Sequence, residues 1–160
     1  MFANLRRDAV HYAAFGGWSR NLGFWVVASY RLGAWARARH TLLRIPLLVV
    51  AWLIKQPARL VLHVELPFSA RIAPGFALIH PYNVLIGSGV EIGEDCALYH
   101  EVTIGAGPRP GVPRLGKGIV VFAGARVLGG ISVHDGSEIG ANCVVTRDVP
   151  AGSTVVGNPA

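Results

Sequence analysis

The sequence predicts a mainly β protein, a parallel β-helix of hexapeptide repeats preceded by a short α-helical segment. Three observations predict it. Apolar residues recur in steps of six from Ile72 to Ala151, led by Ile72, Leu78, Ile86, Ile92, Leu98, Ile104, Leu115, Val121, Val127, Val133, Ile139, Val145 and Ala151. Four positions after most leads stands a second small or apolar residue, among them Val90, Cys96, Val102, Ile119, Ala125 and Cys143. Glycine often follows the lead, as in Ile86-Gly87, Ile92-Gly93 and Ile139-Gly140. A fixed period of six with glycine turns marks a parallel β-helix. An amphipathic helix would repeat every 3.6 residues and a half-buried strand every two, and neither period fits. Each hexad is then a short strand plus a corner, three hexads close a coil, and stacked coils bury an aliphatic column.

Residues 1–64 lack this period and read as two or three helices, with Gly16-Gly17 and Gly33 as breaks and Tyr30, Ala34, Arg37 and Thr41 along one stripe. Charge separates this segment from residues 65–160. The front carries nine Arg or Lys and one acid, Asp8, whereas the repeat carries six basic and eight acidic residues. The basic balance therefore belongs to the front and suits an anionic partner. Two roles fit residues 1–64. They can cap the open end of the β-helix, where a bare coil would expose apolar residues and unpaired backbone. They can also lie at the inner face of a membrane, with Trp18, Trp25, Trp35 and Trp52 at headgroup level and arginines on anionic lipid. Nucleic acid is not an expected partner, because no reading helix or stacking sheet motif is present. No secretory signal is read after Arg6-Arg7-Asp8. The longest charge-free apolar run, Ile45 to Ile54, contains Pro46 and falls short of the roughly 20 residues of a membrane span. The cytoplasm is the expected compartment. Cys96 and Cys143 fall at inward positions and read as buried small hydrophobes rather than a disulfide.

The hexad count slips twice. Leu78 to Ile86 spans eight residues, placing two extra within His80-Pro81-Tyr82-Asn83. Ile104 to Leu115 spans eleven, placing five extra within the loop 105–114. A solenoid tolerates insertions where they leave the stack, and such loops usually mark its working face. Two residues after a lead, coil by coil, come His80, His100, Ala123 and Ala141. With adjacent strands about 4.8 Å apart, these four form one column: two imidazoles, then two methyl-sized neighbours that leave room for a ligand. The Pro/Gly loop at the neighbouring corner is expected to wall that lane in. Phe68, Pro74 and His80 offer a second register that would turn His80 inward, but Ile72-Ala73-Pro74-Gly75 and Leu78 repeat the later pattern better. A three-histidine zinc site would need a third histidine at a matching position, and none is there; no metal is expected.

The repeat resembles the hexapeptide-repeat acyltransferases, in particular the serine acetyltransferase-like branch. The resemblance rests on Ile79-His80, Val102-Thr103-Ile104-Gly105, Pro113-Arg114-Leu115-Gly116, Ala123–Gly129 and the closing Val156-Gly157-Asn158-Pro159-Ala160. Ser29-Tyr30-Arg31-Leu32 and Ile45–Val49 also look like segments of colanic-acid and exopolysaccharide O-acetyltransferases. The resemblance implies a left-handed coil, a homotrimer with active sites between subunits, and acetyl-CoA as acyl donor without a metal. It implies His80 as general base with His100 as second candidate, and Ala106, Gly107, Ala123 and Ala141 along the pantetheine groove. Arg109, Arg114 and Arg126 are candidates for the CoA phosphates, since a planar guanidinium suits them. Glu65, Tyr82 and Asn83 are candidates for the acceptor. Serine acetyltransferases carry a carboxylate where Ile79 stands and a second histidine where Val112 stands. Those departures favour a sugar or polysaccharide-precursor hydroxyl, free or lipid-linked, over serine as acceptor. Serine O-acetylation and a non-catalytic scaffold are the competing readings.

Overall fold

The computed structural model describes residues 1–157; Asn158, Pro159 and Ala160 of the closing motif, and the side chain of Thr41, lie outside the described residues. Helix α1 (Phe2–His11) leads through one 3-10 turn (Tyr12–Phe15) to α2 (Leu22–Arg37), and a three-residue turn joins α2 to α3 (Thr41–Val61). Asn21 caps α2 by accepting the Gly23 N–H. Because α2 ends at Arg37, the expected stripe from Tyr30 to Thr41 does not exist as one helical face: Tyr30 is buried, Arg37 is exposed, and Thr41 opens the next helix.

Thirteen short strands follow: β1 (Arg71–Ile72), β2 (Ala77–Leu78), β3 (Leu85–Ile86), β4 (Glu91–Ile92), β5 (Ala97–Leu98), β6 (Thr103–Gly105), β7 (Arg114–Leu115), β8 (Val120–Val121), β9 (Arg126–Leu128), β10 (Ser132–Val133), β11 (Glu138–Ile139), β12 (Val144–Val145) and β13 (Thr154–Val155). They form a left-handed parallel β-helix of about four turns. Its first face stacks β1, β4, β7 and β10, its second β2, β5, β8, β11 and β13, and its third β3, β6, β9 and β12. All twelve leads from Ile72 to Val145 are buried, which makes the aliphatic column; Ala77 and Ala97 beside Leu78 and Leu98 are buried too, against the helices. Ile72 and Leu78 hold the expected register.

The thirteenth lead does not hold. Ala151 is exposed in a turn, whereas Val149 bridges Val133 and Val155 pairs with Ile139. The coil loses two residues between Val145 and Val149, and Asp148 makes the loss tolerable: its carboxylate accepts the Ser132 N–H at 3.0 Å.

The helices close the open end of the stack. Val26, Val27 and Tyr30 continue the column that runs up to Val149. Edge strands leave unpaired backbone that must find partners, and side chains supply them here. The Tyr12 hydroxyl accepts the Leu78 N–H at 2.7 Å and donates to the Leu78 carbonyl at 3.2 Å. The Tyr30 hydroxyl treats β1 the same way, accepting from Ile72 N–H and donating to Ala70 O. Glu65 backbone pairs with Val84 and Ile86 beneath β3. Asp8, fully buried, accepts the Gly75 and Phe76 N–H groups and both Arg31 Nε and Nη2. Arg31 in turn donates to the Ile72 and Ala73 carbonyls. Gly23 is required where α2 meets β2, since a Cβ there would overlap the Leu78 carbonyl.

Candidate active site at a corner of the prism

Register places the histidines. Leu78 pairs with Leu98, Leu98 with Val121 and Val121 with Ile139. Two residues beyond each lead, His80, His100, Ala123 and Ala141 therefore stack along the corner between the second and third faces. His80 is exposed and His100 half-buried, and their ring centroids lie 6.0 Å apart. The backbone turns outward just past the column through left-handed residues: Glu101 (φ 59°), Gly124 (φ 72°) and Asn142 (φ 58°). In the lowest coil that conformation falls on Asn83 (φ 52°), so Pro81 and Tyr82 are the two inserted residues. Tyr82 N–H closes on the His80 carbonyl and its own carbonyl accepts Glu101 N–H. The insertion thus widens the corner directly beside His80, leaving Tyr82 and Asn83 exposed.

One side of the corner is walled by aromatic rings. Tyr99 meets the His80 ring edge-on at 6.0 Å and stacks on Phe122 at 5.2 Å. Beneath them, Ile79 is buried in a cluster with Tyr12 and Phe24, so the residue before His80 serves the contact with the helices and presents no charge.

The long loop does not wall the lane within one chain. It leaves the corner between the third and first faces, one face away, and folds up against the next coil. Gly130 N–H donates to Arg109 O, and Gly129 N–H donates to Gly105 O. A Cβ on Gly107 would come within 2.7 Å of Leu128 and Gly129 atoms. Ala106 and Gly107 therefore do not share a corner with Ala123 and Ala141; a face three residues wide, roughly 10 Å of strand, separates them. Arg109 pairs with Asp148 at 3.3 Å and Arg114 with Glu91 at 3.7 Å. Arg126 stands exposed on the third face between Thr103 and Val144, with no ion pair among the described residues. Glu65 begins that face, half exposed, with Arg59 at 3.8 Å. Among the described residues no group of three His, Cys, Asp or Glu side chains could hold a metal ion.

Sequence reasoning missed three groups: Asp8 with Arg31, Tyr12 and Tyr30. The cysteines are buried and free, and burial pushes the Cys96 thiol up to about 11. His134 is exposed in its turn, and His11 Nδ1 contacts the Gly75 carbonyl.

The chain is 42% identical over 129 residues to a serine acetyltransferase of Helicobacter pylori, covering 78% of this chain and 74% of that one. It is 39% identical over 129 residues to a serine acetyltransferase of Bacillus subtilis, covering 59% of the latter. Among solved structures, a serine acetyltransferase in complex with cysteine superposes with TM-score 0.81 at 26% identity, over 98% of this chain and 67% of that chain. A Brucella abortus serine acetyltransferase in complex with coenzyme A superposes with TM-score 0.78 at 25% identity, over 98% and 65%. The chain thus spans less than two thirds of the Bacillus and Brucella proteins. No protein-family model matches the sequence. These relatives are named serine acetyltransferases, so the expected exopolysaccharide O-acetyltransferase likeness is not supported.

Proposed function

The chain belongs to the serine acetyltransferase family of acetyl-CoA-dependent O-acetyltransferases, and we propose that it moves an acetyl group from acetyl-CoA to the hydroxyl of serine at the His80–His100 corner. The observation that carries the site is the register of Leu78, Leu98, Val121 and Ile139, which stacks two imidazoles under two alanines on an open edge. The names of the relatives favour serine over the sugar hydroxyl expected from Ile79 and Val112.

The hydroxyl attacks the thioester carbonyl while His80 takes its proton, since imidazole is the side chain that exchanges protons near neutrality. The tetrahedral intermediate collapses, the C–S bond breaks, and the proton passes from the imidazolium to the departing thiolate. A positioned base of this kind contributes about 10²–10⁴ in rate. His100, one coil above, is the second imidazole within reach. Ala123 and Ala141 leave the corner clear for the pantetheine arm. Backbone N–H groups of the 106–113 loop suit a developing oxyanion. That loop stands one face away from the histidines of its own chain, so in this reading a neighbouring copy supplies it, in a homotrimer with sites between subunits. Arg109 and Arg126, then, belong to the CoA phosphates contributed across the same contact. Glu65, Tyr82 and Asn83 border the acceptor side.

A second acceptor, a sugar hydroxyl, is favoured by one observation: Ile79 is packed against Tyr12 and Phe24, leaving no carboxylate beside His80 for an amino-acid ammonium. Thiol release from acetyl-CoA with L-serine, compared with nucleotide sugars, decides between them. Serine-dependent release supports the first reading. Release with a sugar alone overturns it, and a chain that binds no CoA is a scaffold.

A further inference from the structure

We propose that the α2–α3 hairpin seats this protein on an anionic membrane surface, with α3 lying in the plane of the interface. The α3 positions Leu42, Pro46, Val49, Leu53, Pro57 and Leu60 follow one another at steps of three and four, so they form one stripe along the helix. All six are exposed and none is polar. The 21 residues extend about 30 Å at 1.5 Å per residue. The other side of α3 is occupied: Ala51 is buried, and Lys55 Nζ donates to the Leu66 carbonyl at 2.7 Å. The stripe is therefore the side turned away from the protein. Soluble chains rarely leave so long an apolar surface uncovered.

The stripe continues into a groove of about 420 Å³ between the helices, lined by Leu22, Trp25, Ile54, Pro57 and Val61. Its lining is almost wholly apolar and suits acyl methylenes. Trp25, 54% exposed, lines this groove, and Trp52, 52% exposed, stands on the other flank of the stripe, in the manner of indoles that prefer the boundary between headgroups and chains.

Charge selects the occupant. Arg37, Arg39 and Arg44 cluster at the α2–α3 turn and Arg20 precedes the other end of α2. Among the described residues none of the four makes an ion pair, and Arg39 lies over the Trp35 ring at 4.6 Å. The only acid of residues 1–64, Asp8, is buried against Arg31. A second copy docked through the stripe would bring two sets of unpaired arginines to one contact with no free carboxylate of residues 1–64 to pair them, Asp8 being buried, which disfavours that contact. Anionic lipid meets both the apolar stripe and the cations. No described helix is long and apolar enough to cross a membrane, so α3 lies on the bilayer.

Sedimentation of the full chain with vesicles tests this, using phosphatidylcholine with and without phosphatidylglycerol. The expected result is pelleting with phosphatidylglycerol vesicles that weakens as salt rises, by roughly fivefold for each of Arg37→Ala and Arg39→Ala. The pair Val49→Asp and Leu53→Asp is expected to lower partitioning by about tenfold or more while thermal unfolding and acetyl-CoA thiol release with a soluble acceptor stay unchanged. Quenching of the wild-type tryptophans by brominated acyl chains gives a readout independent of any variant. Absence of pelleting, equal pelleting with neutral vesicles, unquenched tryptophans, or a halved solution mass for the double variant overturns the proposal, the last by assigning the stripe to a second copy. These results leave the acetyl-transfer reading untouched, because its readout is thiol release.

Discussion

His80 and His100 stand one coil apart on a single corner of the prism, with ring centroids 6.0 Å apart, because Leu78 and Leu98 pair in register beneath them. Nothing in the chain between them needs to be near in sequence; the period of six brings them together. Replacement of His80 by Ala is expected to lower turnover by about 10²–10⁴. The melting temperature should not change, since the ring is exposed. His100→Ala should raise KM or lower turnover by a smaller factor. Steady-state thiol release and a thermal melt check both, and near-normal turnover in both variants would remove the histidines from the chemistry.

Tyr12→Phe removes one oxygen and leaves two backbone groups of Leu78 without their partner. Buried groups left unsatisfied cost about 1–3 kcal/mol each. The urea midpoint should fall accordingly with the slope unchanged. Gly23→Ala should cost more, because its Cβ would overlap the same Leu78 carbonyl.

Asp8 and Arg31 form a fully buried pair that also holds four backbone groups of the first coil. Removing one partner strands the other charge. Asp8→Ala is expected to destabilise by about 3–5 kcal/mol, read by chemical denaturation, whereas Arg7→Ala, which breaks only exposed pairs with Glu94 and Asp95, should change little.

Stability should also decline in alkali. Burial raises Cys96 from 9.0 to about 11 and raises Tyr12 and Tyr30 above their ordinary 10.0. A group whose value is raised on folding contributes fully below its unfolded value and loses that contribution as pH climbs through the folded one. Urea midpoints should therefore hold to about pH 9 and fall from there through about pH 11. Thiol reagents should spare native Cys96 at about pH 8 and label it on unfolding. A midpoint that stays flat to pH 11 would contradict the burial argument.

The repeat was legible because burial imposes its own period on the chain: twelve leads from Ile72 to Val145 all point inward. The same counting placed two extra residues within His80-Pro81-Tyr82-Asn83 and five within the 105–114 loop. It failed at Ala151, where the Asp148 side chain replaces a strand residue, and a carboxylate standing in for backbone leaves no mark on a pattern of apolar positions. The loop's partner was also illegible. Spacing says that a loop leaves the stack, but which way it folds depends on contacts such as Gly130 with Arg109. Residues 1–64 showed their charge and apolarity but not their anchors. Tyr12, Tyr30 and the Asp8–Arg31 pair reach the coil across 40 to 68 residues of sequence, and no local motif announces them.

Acetyl transfer is proposed to take place at the corner holding His80. A crystal structure with coenzyme A tests it most directly. The sulfur is expected beside the His80 ring, the pantetheine arm along Ala123 and Ala141, and the 106–113 loop of a neighbouring copy closing over it. Coenzyme A bound on another face, with the His80 corner facing open solvent, would contradict it.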